Sequence, residues 1–145
     1  MAIKSAQGKG KGGEYEIIAL LGIWAKEVGV PLTLERNLEQ VRYGGADING
    51  VPGMEVEVKR VESATPAAVD QWWAQVCRAA VKSGKTPFLI HRQNRRAWRV
   101  RVRTTVALHN NHTTAWDLFE VDADLDFGQA KRWFQKYVQI FIETC

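Results

Sequence analysis

The sequence predicts an α/β protein, a mixed central sheet flanked by helices with an extra helix at the C-terminal end. Three observations predict it. Apolar residues recur at helical spacing in three stretches, 14–28, 66–83 and 127 onward. Strict two-residue alternation marks Met54 to Val61 and the stretch AWRVRVR at 97–103. The elements also come in the order helix, strands, helix, strands, helix, and a helix between strands is how neighbouring strands become parallel.

The bulk properties narrow the class. A chain of 145 residues with 46% hydrophobic and 25% charged residues is one domain's worth and can bury a sizeable core. The formal charge of +4 and pI near 9.2 lean toward a polyanionic partner. Cys77 and Cys145 form no C-x-x-C pair, so neither a disulfide scaffold nor a zinc site is expected, and a reducing cytoplasm fits. The start, MAIKSAQGKGKGG, is basic and glycine-rich without an apolar core. It reads as a flexible basic arm over residues 1–13 rather than a signal peptide. No apolar run approaches the roughly 20 residues that span a membrane.

The elements follow in order. The first helix runs from Glu14 to Val28, with Ile17, Ile18, Leu21, Trp24, Ala25 and Val28 on one stripe; Gly29 and Pro31 end it. Residues 32–43 read as a strand with a polar centre. Gly44-Gly45 turns the chain into a short extended piece, Ala46-Asp47-Ile48, and NGVPG is a turn before the strand Met54–Val61. Thr65 then Pro66 is a cap and first position for a second helix reaching Ser83, closed by Gly84. TPFLIHRQ is a short apolar strand, followed by a turn near Asn94 and the alternating strand. Residues 104–116 read as polar and irregular, and WDLFEV as a further strand. Asp126 caps the last helix, with Gln129 three residues on. That helix carries Trp133, Phe134, Tyr137, Val138, Phe141 and Ile142, either as an extra core layer or as a dimer surface.

The stretch GGADINGVPGMEVEVKRVE carries the chemistry. Alternation puts Glu55, Glu57 and Lys59 on one strand face and Val56 and Val58 on the other. Asp47 precedes Glu57 by ten positions, across a turn, so the two carboxylates can meet at the strand ends. Two carboxylates in a small space repel, and a divalent metal relieves the repulsion; Mg²⁺ prefers such oxygen ligands. Lys59 can contact a scissile phosphate or orient an attacking water. On the first helix, at about 100° per residue, Glu14 falls in the apolar stripe while Glu16 falls on the solvated face. Glu14 reads either as a first-turn acid favoured by the helix dipole or as a group turned inward toward the acidic hairpin.

Asp47, Glu57, Val58 and Lys59, an aspartate followed after a turn by E-V-K, resemble the core of the PD-(D/E)XK nucleases. KGKGGEYEIIALL at 9–21 resembles the entry of the archaeal-type Holliday junction resolvases, where Lys-Gly precedes a helix bearing an active-site glutamate; Glu14 takes that place. The helix and strands through GKTPFLIHRQNRRAWRVRV resemble the part that completes this fold in phage resolvase-like proteins, so the resemblance spans about residues 9–103. It implies a restriction-endonuclease-like core over about 14–103, a C-terminal extension at 104–145 and a single nuclease domain at 14–145. It further implies Mg²⁺, with Mn²⁺ able to substitute, held by Asp47, Glu57 and the Val58 carbonyl with help from Glu14. Lys59 would assist the attacking water, leaving 5′-phosphate and 3′-hydroxyl ends. The implied partners are branched DNA and a second copy of the chain, with no small-molecule cofactor, in the host cytoplasm if phage-encoded. One departure from the family pattern is Ala46, where a proline is usual before the aspartate. Glu55 is a reserve ligand expected nearer the rim.

Arg92, Arg95 and Arg96 cluster at a turn, and Arg99, Arg101 and Arg103 share a strand face. They read as a patch for DNA phosphates or as a solvated face that discourages edge pairing; beside a nuclease site, DNA is favoured. Lys4, Lys9 and Lys11 read the same way. HNNH at 109–112 lacks acidic or cysteine partners and reads as a polar loop. DADLDFG at 122–128 fails as a calcium loop, because Trp133 stands where the bidentate glutamate is needed. The readings that compete with a junction resolvase are a nuclease of the same kind acting on single-stranded, nicked or branched DNA, and a non-catalytic DNA-binding module.

Overall fold

The computed structural model describes residues 2–38 and 46–143, with side chains over 12–38 and 46–141. The described residues form three helices, α1 (Ala2–Glu27), α2 (Pro66–Ser83) and α3 (Phe127–Glu143). They also form six strands, β1 (Glu35–Arg36), β2 (Ile48–Asn49), β3 (Met54–Val61), β4 (Thr86–Gln93), β5 (Arg99–His109) and β6 (Trp116–Leu125). The strands make one sheet in chain order. β3 and β4 are parallel, joined by α2 as crossover, and every other neighbouring pair is antiparallel. This is the mixed α/β sheet with an extra C-terminal helix that the sequence predicts.

The sheet's two faces have different partners. Val56, Val58, Phe88, Ile90, Val100 and Val102 point to one side, where Ile17, Leu21 and Trp24 of α1 and Phe134 and Val138 of α3 bury them. Leu89 faces the other side and packs with Val69, Trp73 and Val76 of α2. A strand buried on both faces needs such near-continuous apolar sequence, which β4 supplies. α2 starts as read: Thr65 accepts from the Ala68 N–H and Pro66 follows, while Gly84 closes the helix in the left-handed region at φ 68°. The start of α3 is a reciprocal cap. Asp126 accepts the Gln129 N–H at 2.8 Å, and Gln129 accepts the Asp126 N–H at 3.1 Å.

Three expectations change. Residues 2–13 are helical, not an arm. α1 runs unbroken through Gly8, Gly10, Gly12 and Gly13, although glycine is about 1 kcal/mol less favourable than alanine in a helix interior. Once the Ile17–Ala25 turns have nucleated it, each added residue need only propagate the helix. The strand expected at 32–43 shrinks to Glu35–Arg36, because β2 offers it only two partner residues, Asn49 and Ile48; residues 39–45, with the Gly44-Gly45 turn, lie outside the described ones. Residues 104–116 are not irregular. β5 continues to His109 and pairs with β6 from Val100↔Leu125 to His109↔Trp116, although only its first four residues also pair with β4. Glu16 is exposed as expected, and it also accepts the Trp98 indole N–H at 3.0 Å and pairs with Arg92 and Arg60.

The aromatic face of α3 belongs to the core layer. Phe134 and Val138 are fully buried, Trp133 stacks on Tyr137, and the Tyr137 hydroxyl donates to the Pro52 carbonyl at 2.7 Å. That last bond ties α3 to the turn between β2 and β3. Gly53 in this turn has φ 66°, and a Cβ there would lie 2.8 Å from the Phe141 ring; at Gly50 (φ 113°) a Cβ would meet the Thr33 carbonyl. Only glycine fits either place. Phe134→Ala is expected to cost about 3–5 kcal/mol in urea denaturation. Ile140→Ala, on the outer face at 47% exposure, should cost less than about 1 kcal/mol.

Candidate active site

The site lies where the β2–β3 pairing ends. Asp47 donates its N–H to the Val56 carbonyl at 2.8 Å, and its carboxylate Oδ2 accepts the Val58 N–H at 2.8 Å. In a strand the N–H and C=O of one residue point to the same side, so the Val58 carbonyl also faces the edge that Asp47 occupies. Asn37 holds the other flank: its N–H donates to the Asp47 carbonyl at 2.9 Å and its side-chain amide to the Ala46 carbonyl at 2.8 Å. These bonds help hold Asp47 at 5% exposure.

Glu57 comes beside it from β3. Burial, with the nearby Asp47 charge second, pushes the Glu57 carboxyl up to about 7, although Lys59 pulls the other way. Lys59 Nζ stands 3.4 Å from Glu57 Oε1. So Asp47, Glu57 and Lys59 come together as the sequence spacing predicts. Their donor set is two hard carboxylate oxygens and a carbonyl edge, with charge that the fold leaves under-compensated, and it fits a divalent cation such as Mg²⁺ or Mn²⁺.

Glu14 and Glu55 are placed differently. The Glu14 side chain is 16% exposed, and its carboxylate takes a 2.5 Å hydrogen bond from Arg36 Nε, which also sits over the Tyr15 ring. Arg36 pairs with Ile48 across β1–β2, so Glu14 borders the site through a cation instead of joining the two acids. Among the described residues no group of three or more His, Cys, Asp or Glu side chains is arranged to hold a metal. Glu55 is at no rim: it is 1% exposed beneath the end of α2, where Ser83 donates to its Oε2 at 3.1 Å and its Oε1 has no partner. Alternation places Glu55 on the face of Glu57, but α2 covers that end of the strand.

The arginines divide. Arg101 is committed to the fold, gripping Asp124 through two nitrogens and Asp70 through a third, and these bonds raise its pKa further above an already high value. Arg103 pairs with Asp122 at 3.1 Å. Arg92 lies over the Trp98 ring and pairs with Glu16. Arg95, Arg96 and Arg99 are exposed. The side chains of Lys4, Lys9 and Lys11 lie outside the described ones, though their backbone belongs to α1. Sequence reading missed His91, buried at 7% exposure and paired in register with Lys59. Its signal was the parallel register of β3 and β4, which the sequence does not print.

A carboxylate pair and a lysine at a strand edge of a mixed α/β sheet define the class of PD-(D/E)XK nucleases. Residues 5–143 match the family described as "Phage putative PDDEXK endonuclease", and the chain belongs to that family. Among solved structures, the chain is similar to Hjc, a Holliday junction resolvase from the archaeal hyperthermophile Archaeoglobus fulgidus. That match has 16% identity and a TM-score of 0.47, covering 85% of this chain and 95% of that one. No curated protein matches. No helix among the described residues is long and apolar enough to cross a membrane.

The Glu57 environment has a pH signature. Its folded pKa is raised from 4.5 to about 7, so the contribution to stability is fully present below about pH 4.5 and is lost as pH rises through about 7. In chelator, Glu57→Gln should therefore gain on the parent protein across that window, by on the order of 2 kcal/mol at its upper end, and level off above it. Thermal melts of both proteins over a pH series check this; a difference flat with pH contradicts it.

Proposed function

We propose that this nuclease is a metal-dependent endonuclease that resolves four-way DNA junctions by paired, symmetric phosphodiester hydrolysis. The observation that carries the reading is the Asp47–Glu57 pair beside Lys59 in a chain of an endonuclease family. The junction itself is supported by the resolvase-like stretch KGKGGEYEIIALL at 9–21, which lies within α1.

Asp47, Glu57 and the Val58 carbonyl would hold Mg²⁺ or Mn²⁺. Such an ion supplies a water ionised near neutral pH and neutralises charge on the phosphoryl oxygens. The chain supplies the rest. The Val58 N–H locks one Asp47 oxygen, so the carboxylate cannot swing away when DNA enters. Burial excludes water from Glu57 and strengthens its interactions. Lys59 brings a positive charge beside the carboxylates, toward the developing charge on the phosphate, and orients the attacking water. Glu14 completes the site from its border once Arg36 yields it. Arg95, Arg96 and Arg99, with Lys9 and Lys11 of α1, bind phosphates along the arms, while Arg101 supports the sheet.

A junction has two-fold symmetry and needs two cuts, so the active form is a two-fold homodimer. With the α3 aromatics turned to the core, the contact falls to the tip of the β5–β6 hairpin, where Leu108, Trp116 and Leu118 are 59–67% exposed.

The test is cleavage of a labelled four-way junction beside duplex, nicked and single-stranded controls, with Mg²⁺ and with chelator. Paired symmetric cuts are expected on the junction. Chelator should abolish them, and Glu57→Ala and Lys59→Ala should each slow them by at least about a hundredfold. Cutting confined to single-stranded or nicked DNA would replace the junction reading with that substrate. Tight binding without any cut would reduce the chain to a binding module.

A further inference from the structure

We infer that the pocket between the start of α2 and the β4–β5 turn is a phosphate-binding subsite that holds a second phosphate of the DNA strand being cut. The inference rests on the nuclease reading for its substrate, and on the pocket for its chemistry.

The pocket follows from the register. β3–β4 pairing sets Lys59 beside His91, and β4–β5 pairing sets His91 beside Arg99. At about 4.8 Å per strand, the three backbones cross the sheet in one row over roughly 10 Å, starting at the catalytic lysine. Their side chains share the face on which α2 packs. Beside this row is a pocket of about 190 Å³ whose lining includes Ala64, His91, Arg92, Gln93, Arg96 and Arg99. Among the described residues no acid lines it.

Each wall suits a phosphate. His91 is buried, its ring lies against Trp72, and no hydrogen bond reaches that ring among the described residues. Its ring nitrogens are not among the buried atoms left without a partner, so the ring opens onto the pocket and can donate to an acceptor there. Burial lowers its pKa to about 4; Asp124 pulls it up, while Arg101 and Arg99 push it further down. The ring is therefore a neutral N–H donor at physiological pH and adds no charge of its own. The charge comes from Arg96 and Arg99, both exposed and in no ion pair among the described residues. Arg92 also lines the pocket, its charge paired with Glu16 and laid over the Trp98 ring. Ala64, which lines the pocket, immediately precedes Thr65, the N-cap of the 18-residue α2, so the start of that helix borders the pocket.

A strand held at Lys59 and at this pocket is gripped at two phosphates, which fixes which bond lies over Asp47 and Glu57. The subsite thus sets the register of the cut. An internal phosphodiester and a terminal 5′-phosphate share this chemistry.

The test uses the full chain with ¹⁵N-labelled histidine, in chelator, so that nothing is cut. The chain has three histidines, and His91→Asn assigns the signal. The probes are hexathymidylate with a 5′-hydroxyl, the same with a 5′-phosphate, its uncharged methylphosphonate analogue, and inorganic phosphate. The His91 ring signals should shift saturably with a phosphate-bearing strand and not with the methylphosphonate, while His109 and His112 stay still. Arg99→Ala should weaken the binding about tenfold, and Arg99→Lys should recover part of it. A shift with the 5′-hydroxyl strand identifies an internal phosphate, and a shift only with the 5′-phosphate strand or inorganic phosphate identifies a terminal one; either supports the subsite. An unmoved His91 while the strand binds elsewhere overturns it, as does an equal shift with the methylphosphonate, or no binding at all. Because no cleavage is read, a chain that binds here and never cuts would sink the nuclease reading and leave the subsite standing.

Discussion

The repulsion between Asp47 and Glu57 is the constraint around which the rest is arranged. Two carboxylates held close together in a largely buried place are unfavourable, and the fold holds them there with rigid parts. Asp47 is fixed by the Val58 and Asn37 N–H groups. Glu57 is fixed because its neighbours in β3, Val56 and Val58, are packed in the core shared with α1. The turn joining the two is braced by Tyr137 of α3 and closes only because glycine stands at 50 and 53. The C-terminal helix is therefore more than an appendage to the nuclease core: it fills the main core and braces the site's own turn.

Charge is sorted across the sheet. Acids gather at the β2–β3 edge and uncommitted guanidiniums at the β4–β5 turn, with Lys59 and His91 between them. The interior arginines of β5 are neutralised by Asp70, Asp122 and Asp124, which locks β6 and α2 to the sheet. A basic strand thus splits into a structural half and a half presented to solvent. The split is set by which residues meet an acid in register.

Much of this was legible in the sequence, and the reasons are local. β3, α2 and β4 fall where alternation, the Thr65-Pro66 cap and Gly84 put them, because each is specified by residues within a few positions. The Asp47–Glu57 approach was readable from spacing, since a tight turn leaves little choice of register. What failed depended on pairings that the local pattern does not announce. The β5–β6 hairpin is exposed on both faces at its tip, so no apolar alternation announces it. Glu55 and Glu57 share a face in the pattern, yet one is sealed under α2 and the other meets Asp47. Glu14 phases with the apolar stripe as read, but Arg36, 22 residues on, reaches it first. The fate of Arg101 needed the β6 register, and His91 needed the parallel pairing of β3 and β4.

The most direct test of the central claim is calorimetry of Mg²⁺ and Mn²⁺ binding in buffers of different ionisation enthalpy. If Asp47 and Glu57 form the cation site, binding near pH 7 must displace the proton that Glu57 partly retains. About half a proton should then be released per ion, falling toward none at higher pH and vanishing in Glu57→Gln along with most of the affinity. Binding that releases no proton and survives Glu57→Gln unchanged would place the cation elsewhere and contradict the account.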